Sequence, residues 1–189
     1  MCEDKMAANE KTKYHLVKAI KEVMAKKPLD EITVQEIVSH ANMTRQTFYR
    51  HFKDKYHLVN WYFDKEALKT IRQMGISCSL EEGLTGKFKC MENNKVFFMS
   101  AFTAHGCNSL VEYDYHLIYT FYRDAILKKD PDAFTDEIDF LLQVYSYGAV
   151  QMIVHWTADG MQIKAERFAQ LLVEAFPIKV RTLLEGLDL

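Results

Sequence analysis

The chain has 189 residues, 49% hydrophobic and 26% charged, the composition of an ordinary globular protein with one medium domain or a small one joined to a larger one. Only 7 Gly and 3 Pro interrupt it, so few turns are punctuated, and the long stretches without breakers point to an all-α fold. The net charge of −2 hides an asymmetry: residues 1–60 hold 11 basic and 8 acidic side chains, the remaining 129 hold 13 and 18, so only the first part suits an anionic partner.

The first ten residues are polar. The spacing of Leu16, Ala19, Ile20, Val23 and Met24 gives one apolar helical face and predicts a helix from about Lys11 to Lys26, stopped by Pro28. Thr33 followed by Glu36 is a capping-box pattern, with Ile32 and Ile37 at the hydrophobic-staple positions. Val34, Ile37, Val38 and Ala41 then form the buried stripe of a short second helix. Asn42 tolerates the left-handed conformation a tight turn needs. Thr44 caps a third helix, with Met43 and Phe48 as its staple. Two short helices joined through Ala41–Met43 make a helix-turn-helix. Asp54 caps a fourth helix, whose stripe is Leu58, Trp61, Tyr62, Leu68 and Ile71 and whose end falls near Gly75.

The stretch GISCSLEEGLTG, residues 75–86, reads as a hinge. Helices are expected beyond it at roughly 87–101, 108–128, 135–157 and 163–186. Asp130-Pro131 and Asp159-Gly160 separate them, and Pro177 kinks or divides the last. The segment from Phe140 to Trp156 is apolar almost all round. It is shorter than the ~20 residues that span a bilayer and carries Gln143, Gln151 and His155, so no membrane contact is expected. An apolar helix of this kind in a soluble protein must be covered on every side.

The stretch TRQTFYRHFKDK, Thr44–Lys55, crowds rings and cations together. On a helix, Phe48 and Phe52 share the core face, which turns Arg45, Gln46, Tyr49 and Arg50 outward. No carboxylate lies between Glu36 and Asp54. Arg45 suits guanine O6 and N7, Gln46 suits adenine N6 and N7, and the Thr47 methyl suits a thymine methyl. Tyr49, His51 and Lys55 suit phosphates, as do the helix N-termini near Thr33 and Lys55. The same residues also fit a solvated basic helix backed by a phenylalanine pair.

Cys2, Cys78, Cys90 and Cys107 have no C-x-x-C spacing, and MCEDKMAANEK has no apolar signal core, so a reducing cytoplasm is the expected setting. His105 and Cys107 are too few for a metal site, and no metal or cofactor is expected. There is no G-x-S-x-G, Gly-rich phosphate loop or H-E-x-x-H, so the chain is not expected to be an enzyme.

The stretch ITVQEIVSHANMTRQTFYRHFKDKYHLV, residues 32–59, closely resembles the DNA-binding signature of TetR-family transcriptional regulators: a capped helix, a tight turn, a recognition helix ending in Tyr-x-x-Phe and a Lys opening the next helix. Asn42 stands where the family commonly has Gly, and Arg45 and Gln46 lie where members vary. The resemblance implies a three-helix DNA-binding domain over residues 1–56, joined by a fourth helix to a helical dimerisation and effector or partner-binding domain over 57–189. It implies a homodimer on a pseudo-palindromic double-stranded operator, with the Asp136–Thr157 helix in a four-helix interface; a fully internal helix would account for the same apolar surround. The Tyr-rich middle and the WTADGM turn also resemble the branch that regulates dihydroxyacetone kinase operons, in which the C-terminal domain docks a coactivator protein instead of a small-molecule effector. For an effector, Phe102, Tyr119 and Trp156 are the expected cavity walls.

Overall fold

The computed structural model describes residues 2–74, 78–106 and 108–184. Within them the chain forms ten α-helices and no named strand. The N-terminal end consists of α1 (Cys2–Met24), α2 (Val34–His40) and α3 (Arg45–His51). α4 (Lys55–Glu66) leads from it towards α5 (Leu80–Asn93), α6 (Lys95–Phe102) and α7 (Leu110–Lys129). α8 (Asp136–Ala158), α9 (Ala165–Glu174) and α10 (Ile178–Leu184) complete the chain. None of the helices searched is long and apolar enough to cross a membrane.

Leu16, Ile20, Ile37, Phe48 and Phe52 are fully buried, as their spacing requires, and the core runs on without a break from Leu16 to Leu184. α1 is longer than its apolar stripe predicts, because the helix continues through the polar residues before Lys11.

Three boundaries differ from the sequence reading. α4 stops at Glu66, followed by a 3-10 turn at Ile71–Gln73; its expected end at Gly75 lies outside the described residues. Of the expected hinge, residues 75–77 lie outside the described residues and 80–86 are helix. Ser79 and Glu82 form a reciprocal capping box that starts α5, and an S-x-x-E spacing is a signal the sequence carried. Gly83 and Gly86 are not breakers. A Cβ on either would fall within 2.4 Å of Met74 or Thr70 side-chain atoms, so their bareness lets α5 lie against the 70–74 turn, where the Thr70 hydroxyl donates to the Gly83 carbonyl (2.8 Å).

The helix expected at 87–101 is two helices broken at Asn94. The Asn94 amide donates back to the Cys90 carbonyl (2.9 Å), and its oxygen accepts from Lys21 Nζ (2.7 Å) and the Tyr62 hydroxyl (3.1 Å). These bonds satisfy groups that the helix break exposes and tie α1, α4 and α5 together. As expected, Pro177 divides the last helix, into α9 and α10; the expected end at 186 lies outside the described residues.

Candidate nucleic-acid interface

Each element of the candidate reading head is fixed by its cap. At α2, the Thr33 amide and hydroxyl donate to Glu36 Oε2 (2.8 and 2.7 Å), and the Thr33 hydroxyl accepts from the Glu36 amide (3.3 Å). Lys27 Nζ reaches the other Glu36 oxygen. These bonds, led by the Lys27 ammonium, pull the Glu36 carboxyl from its ordinary 4.5 down to about 2. The turn places Asn42 at φ +50°, the left-handed region its side chain tolerates.

At α3, the Thr44 hydroxyl accepts from the Thr47 amide (3.1 Å) and pairs with the Thr47 hydroxyl (3.0 Å). Asp54 caps α4 through the His57 amide (2.7 Å).

These caps set α3 with Phe48 inward and Thr44, Arg45, Gln46, Tyr49 and Arg50 exposed; Thr47 and His51 are half-buried. The Arg45 guanidinium lies over the Tyr49 ring at 5.9 Å, a contact that stiffens both side chains. Arg50 donates to the Thr47 hydroxyl (3.3 Å). Burial, then the charges of Lys13 and Arg50, lowers the His51 pKa, so at neutral pH its imidazole offers a hydrogen bond rather than a charge. Lys53, exposed beside this face, adds a cation.

Thr33 and Lys55 have less to offer a phosphate than expected. The Thr33 hydroxyl is engaged with Glu36 as donor and acceptor, and that carboxylate occupies the N-terminus of α2. Lys55 Nζ donates to the Asp30 and Ile32 carbonyls (2.7 and 2.8 Å), leaving one of its three N–H groups. It acts first as a clamp of α4 onto the α1–α2 connection.

The same connection carries the joint to the C-terminal helices. The carboxylate of Asp30 accepts from the Tyr56 hydroxyl (2.8 Å) and from the His105 amide (2.9 Å) on the α6–α7 loop. Burial works to raise the Asp30 pKa, but these bonds and Lys55 outweigh it and hold it low. Asn108 Nδ2 donates to Asp54 (3.2 Å), and Asn60 Nδ2 to the Asn108 carbonyl (3.1 Å). Cys107 lies outside the described residues; among them no group of three or more His, Cys, Asp or Glu is placed to hold a metal.

The expected effector residues do not come together. Phe102 is core, edge-on to Phe63. Trp156 stacks on Phe168 and donates its N–H to the Ile163 carbonyl (2.7 Å). The Tyr119 hydroxyl donates to Asp139 (2.6 Å). None of them lines the cavity, about 240 Å³, that lies between the end of α4, the 3-10 turn after it, α5 and α7. Its walls are set instead by Leu68, Ile71, Leu84, Leu117, Ile118 and Phe121, over a polar floor of Lys87 and Asp114. No local spacing announces that pair, which is 27 positions apart.

On α8 the apolar surround resolves into two faces. Leu142, Tyr145, Ala149, Ile153 and Trp156 are buried, while Phe140, Val144, Tyr147 and Met152 are half or more exposed (66, 55, 52 and 50%). Gly148 lies on the exposed face, with nothing within 4 Å of where a Cβ would stand.

An all-α chain with a capped helix-turn-helix and a helical second part has the architecture of a bacterial-type transcription regulator. The family model described as bacterial regulatory proteins, tetR family, matches residues 16–61. A model described as transcriptional regulator C-terminal region matches residues 79–176, more than half of the chain. The chain therefore belongs to the TetR family of transcriptional regulators.

It is 25% identical over 87 residues to the HTH-type dhaKLM operon transcriptional activator DhaS of Lactococcus lactis subsp. lactis (strain IL1403), a match covering 46% of this chain and 46% of that relative. The chain thus spans about half the length of that curated relative. A solved structure, the dihydroxyacetone kinase operon activator DhaS, shares its fold with a TM-score of 0.63 at 17% identity, covering 90% of this chain and 97% of that one.

Proposed function

We propose that the chain is a dimeric, sequence-specific DNA-binding regulator whose C-terminal helices sense a signal and change operator affinity. One observation carries the reading. α3 turns Arg45, Gln46, Tyr49 and Arg50 outward on a surface with no carboxylate between Glu36 and Asp54. Arg45 and Gln46 read base edges and Thr47 touches a thymine methyl. Thr44, Tyr49, Arg50, His51 and Lys53 set the register on phosphates, with Thr33 and Lys55 as supports. The DNA-binding part spans residues 1–56, and the rest, 57–189, pairs and responds.

The exposed α8 face supports pairing. Four large apolar side chains around a bare Gly148 suit a second copy of the same helix, because small residues let two backbones approach closely. Two-fold symmetry then sets the two α3 helices about 34–36 Å apart in successive major grooves. The similarity to DhaS supports a target beside dihydroxyacetone kinase genes and activation rather than repression. A second reading, in which the C-terminal part docks a coactivator protein, draws on the same similarity; the cavity beside α5 and α7 favours a small-molecule signal.

Gel shifts with DNA fragments recovered by the purified protein test this. Arg45→Ala should cost about 1–3 kcal/mol on the recovered operator and relax preference at one base position. An equal loss on every sequence would refute base reading by Arg45.

A further inference from the structure

The reading head is held to the C-terminal helices by more than α4. Asp30, in the α1–α2 connection, divides its carboxylate between two elements. Oδ1 accepts from the Tyr56 hydroxyl on α4 (2.8 Å), and Oδ2 accepts from the His105 amide on the α6–α7 loop (2.9 Å). One residue earlier, the Leu29 amide donates to the Ser100 hydroxyl of α6 (3.2 Å). Asn108, on the same loop, donates its side-chain amide to one oxygen of Asp54 (3.2 Å), whose other oxygen caps α4. The loop is also shaped to lie close: a Cβ on Gly106 would stand 3.2 Å from the Tyr56 ring, inside the ~3.5 Å at which carbon atoms pack.

Burial of apolar surface is non-directional, whereas a hydrogen bond weakens steeply once it is bent. Two bonds from one carboxylate, aimed at different elements, therefore fix the rotation of the head about α4 as well as its attachment. Asp30 is itself an exposed anion, which phosphates repel, so its part in DNA binding is not contact. In a paired protein the rotation of each head sets the distance and the phase between the two α3 helices.

We propose that Asp30 is a positioning residue for half-site spacing: its two bonds hold each head in the one orientation that fits a particular separation of half-sites. The proposal rests on the dimeric DNA-binding reading. Two half-sites engaged at once gain effective concentration only where the geometry allows both. Stiffly held heads concentrate that gain at one spacing, and loosened heads spread it over the neighbouring ones.

Gel shifts on the recovered operator, with one base pair added or removed at its dyad, test this. Each change moves one half-site by about 3.4 Å along the axis and about a tenth of a turn around it. Wild type should lose at least about tenfold in affinity on either altered operator, and Asp30→Ala less than about threefold, from a lower starting affinity. On DNA with a single half-site the two should bind alike, which separates positioning from damage to the head. Asp30→Asn should keep the wild-type preference, because its amide oxygen still accepts from His105 and its NH2 donates to a Tyr56 hydroxyl that reverses its role. Asn108→Ala leaves the α1–α2 connection untouched and should also relax the spacing, so the test stands even if Asp30→Ala does not fold. In DNA-free protein, amide exchange at His105 should be faster in Asp30→Ala than in wild type or Asp30→Asn.

The proposal is overturned if wild type shows no preference of spacing, if folded Asp30→Ala keeps the wild-type preference, if Asp30→Asn relaxes it as Asp30→Ala does, or if single half-site binding falls as far as binding to the full operator. Failure of wild type to bind any operator is a different result. It overturns the DNA-binding reading and the spacing role with it, while exchange at His105 still shows whether Asp30 ties the two parts together.

Discussion

The carboxylate of Glu36 is exposed, yet it accepts from the Thr33 amide, the Thr33 hydroxyl and Lys27. A carboxyl whose pKa drops on folding adds stability in full above its unfolded value and loses it as pH falls towards the folded value. For Glu36 that window runs from 4.5 down to about 2. Glu36→Gln should therefore lower stability at neutral pH, where the contribution is full, and flatten the acid dependence of unfolding across this range, so that variant and wild type converge towards about pH 2. Denaturant melts at a series of pH values check this, and an unchanged acid slope would contradict it. Such detail was legible in the residues. Thr33, Thr44 and Asp54 were readable as caps because an N-cap is a local device three residues long, and Asn42 was readable because few other residues accept its φ.

At the scale of elements, legibility ended where contacts are long-range. Gly83 and Gly86 look like breakers from local propensity, but α5 needs them bare to approach the 70–74 turn. Asn94 splits one apolar run into two helices because Lys21 and Tyr62, far away in sequence, take its oxygen. The cavity was missed for the same reason: Phe102, Tyr119 and Trp156 have the right chemistry, but tertiary packing sends them elsewhere. α5 and α7 are joined instead by Lys87 and Asp114. Removing one member of a buried pair strands the other, so Lys87→Met should destabilise by about 3–5 kcal/mol, whereas Lys87→Met with Asp114→Leu should be near neutral or more stable. Urea unfolding of both variants checks this; a double variant as unstable as the single one would contradict it.

For the whole molecule, one face of α8 covers the chain's own core and the other is exposed; a second copy is the cover we propose for it. Val144→Lys puts a charge in the middle of that face and should convert a dimer to a folded monomer, seen by light scattering at equal concentration. A monomer should also lose most operator affinity, because two half-sites bound together gain effective concentration that one lacks. The basic first part and acidic second part fit the same arrangement, with α3 towards the polyanion and the pairing helices away from it.

The most direct measurement is a footprint of the recovered operator, with binding stoichiometry and a salt series on wild type and Arg45→Ala. The expected pattern is two protected half-sites related by a dyad, about 34–36 Å apart or a multiple of it, occupied by two protomers, with the Arg45→Ala loss confined to one base position per half-site. A single asymmetric footprint held by one protomer, or a loss equal on all sequences, would contradict a paired α3 reading bases.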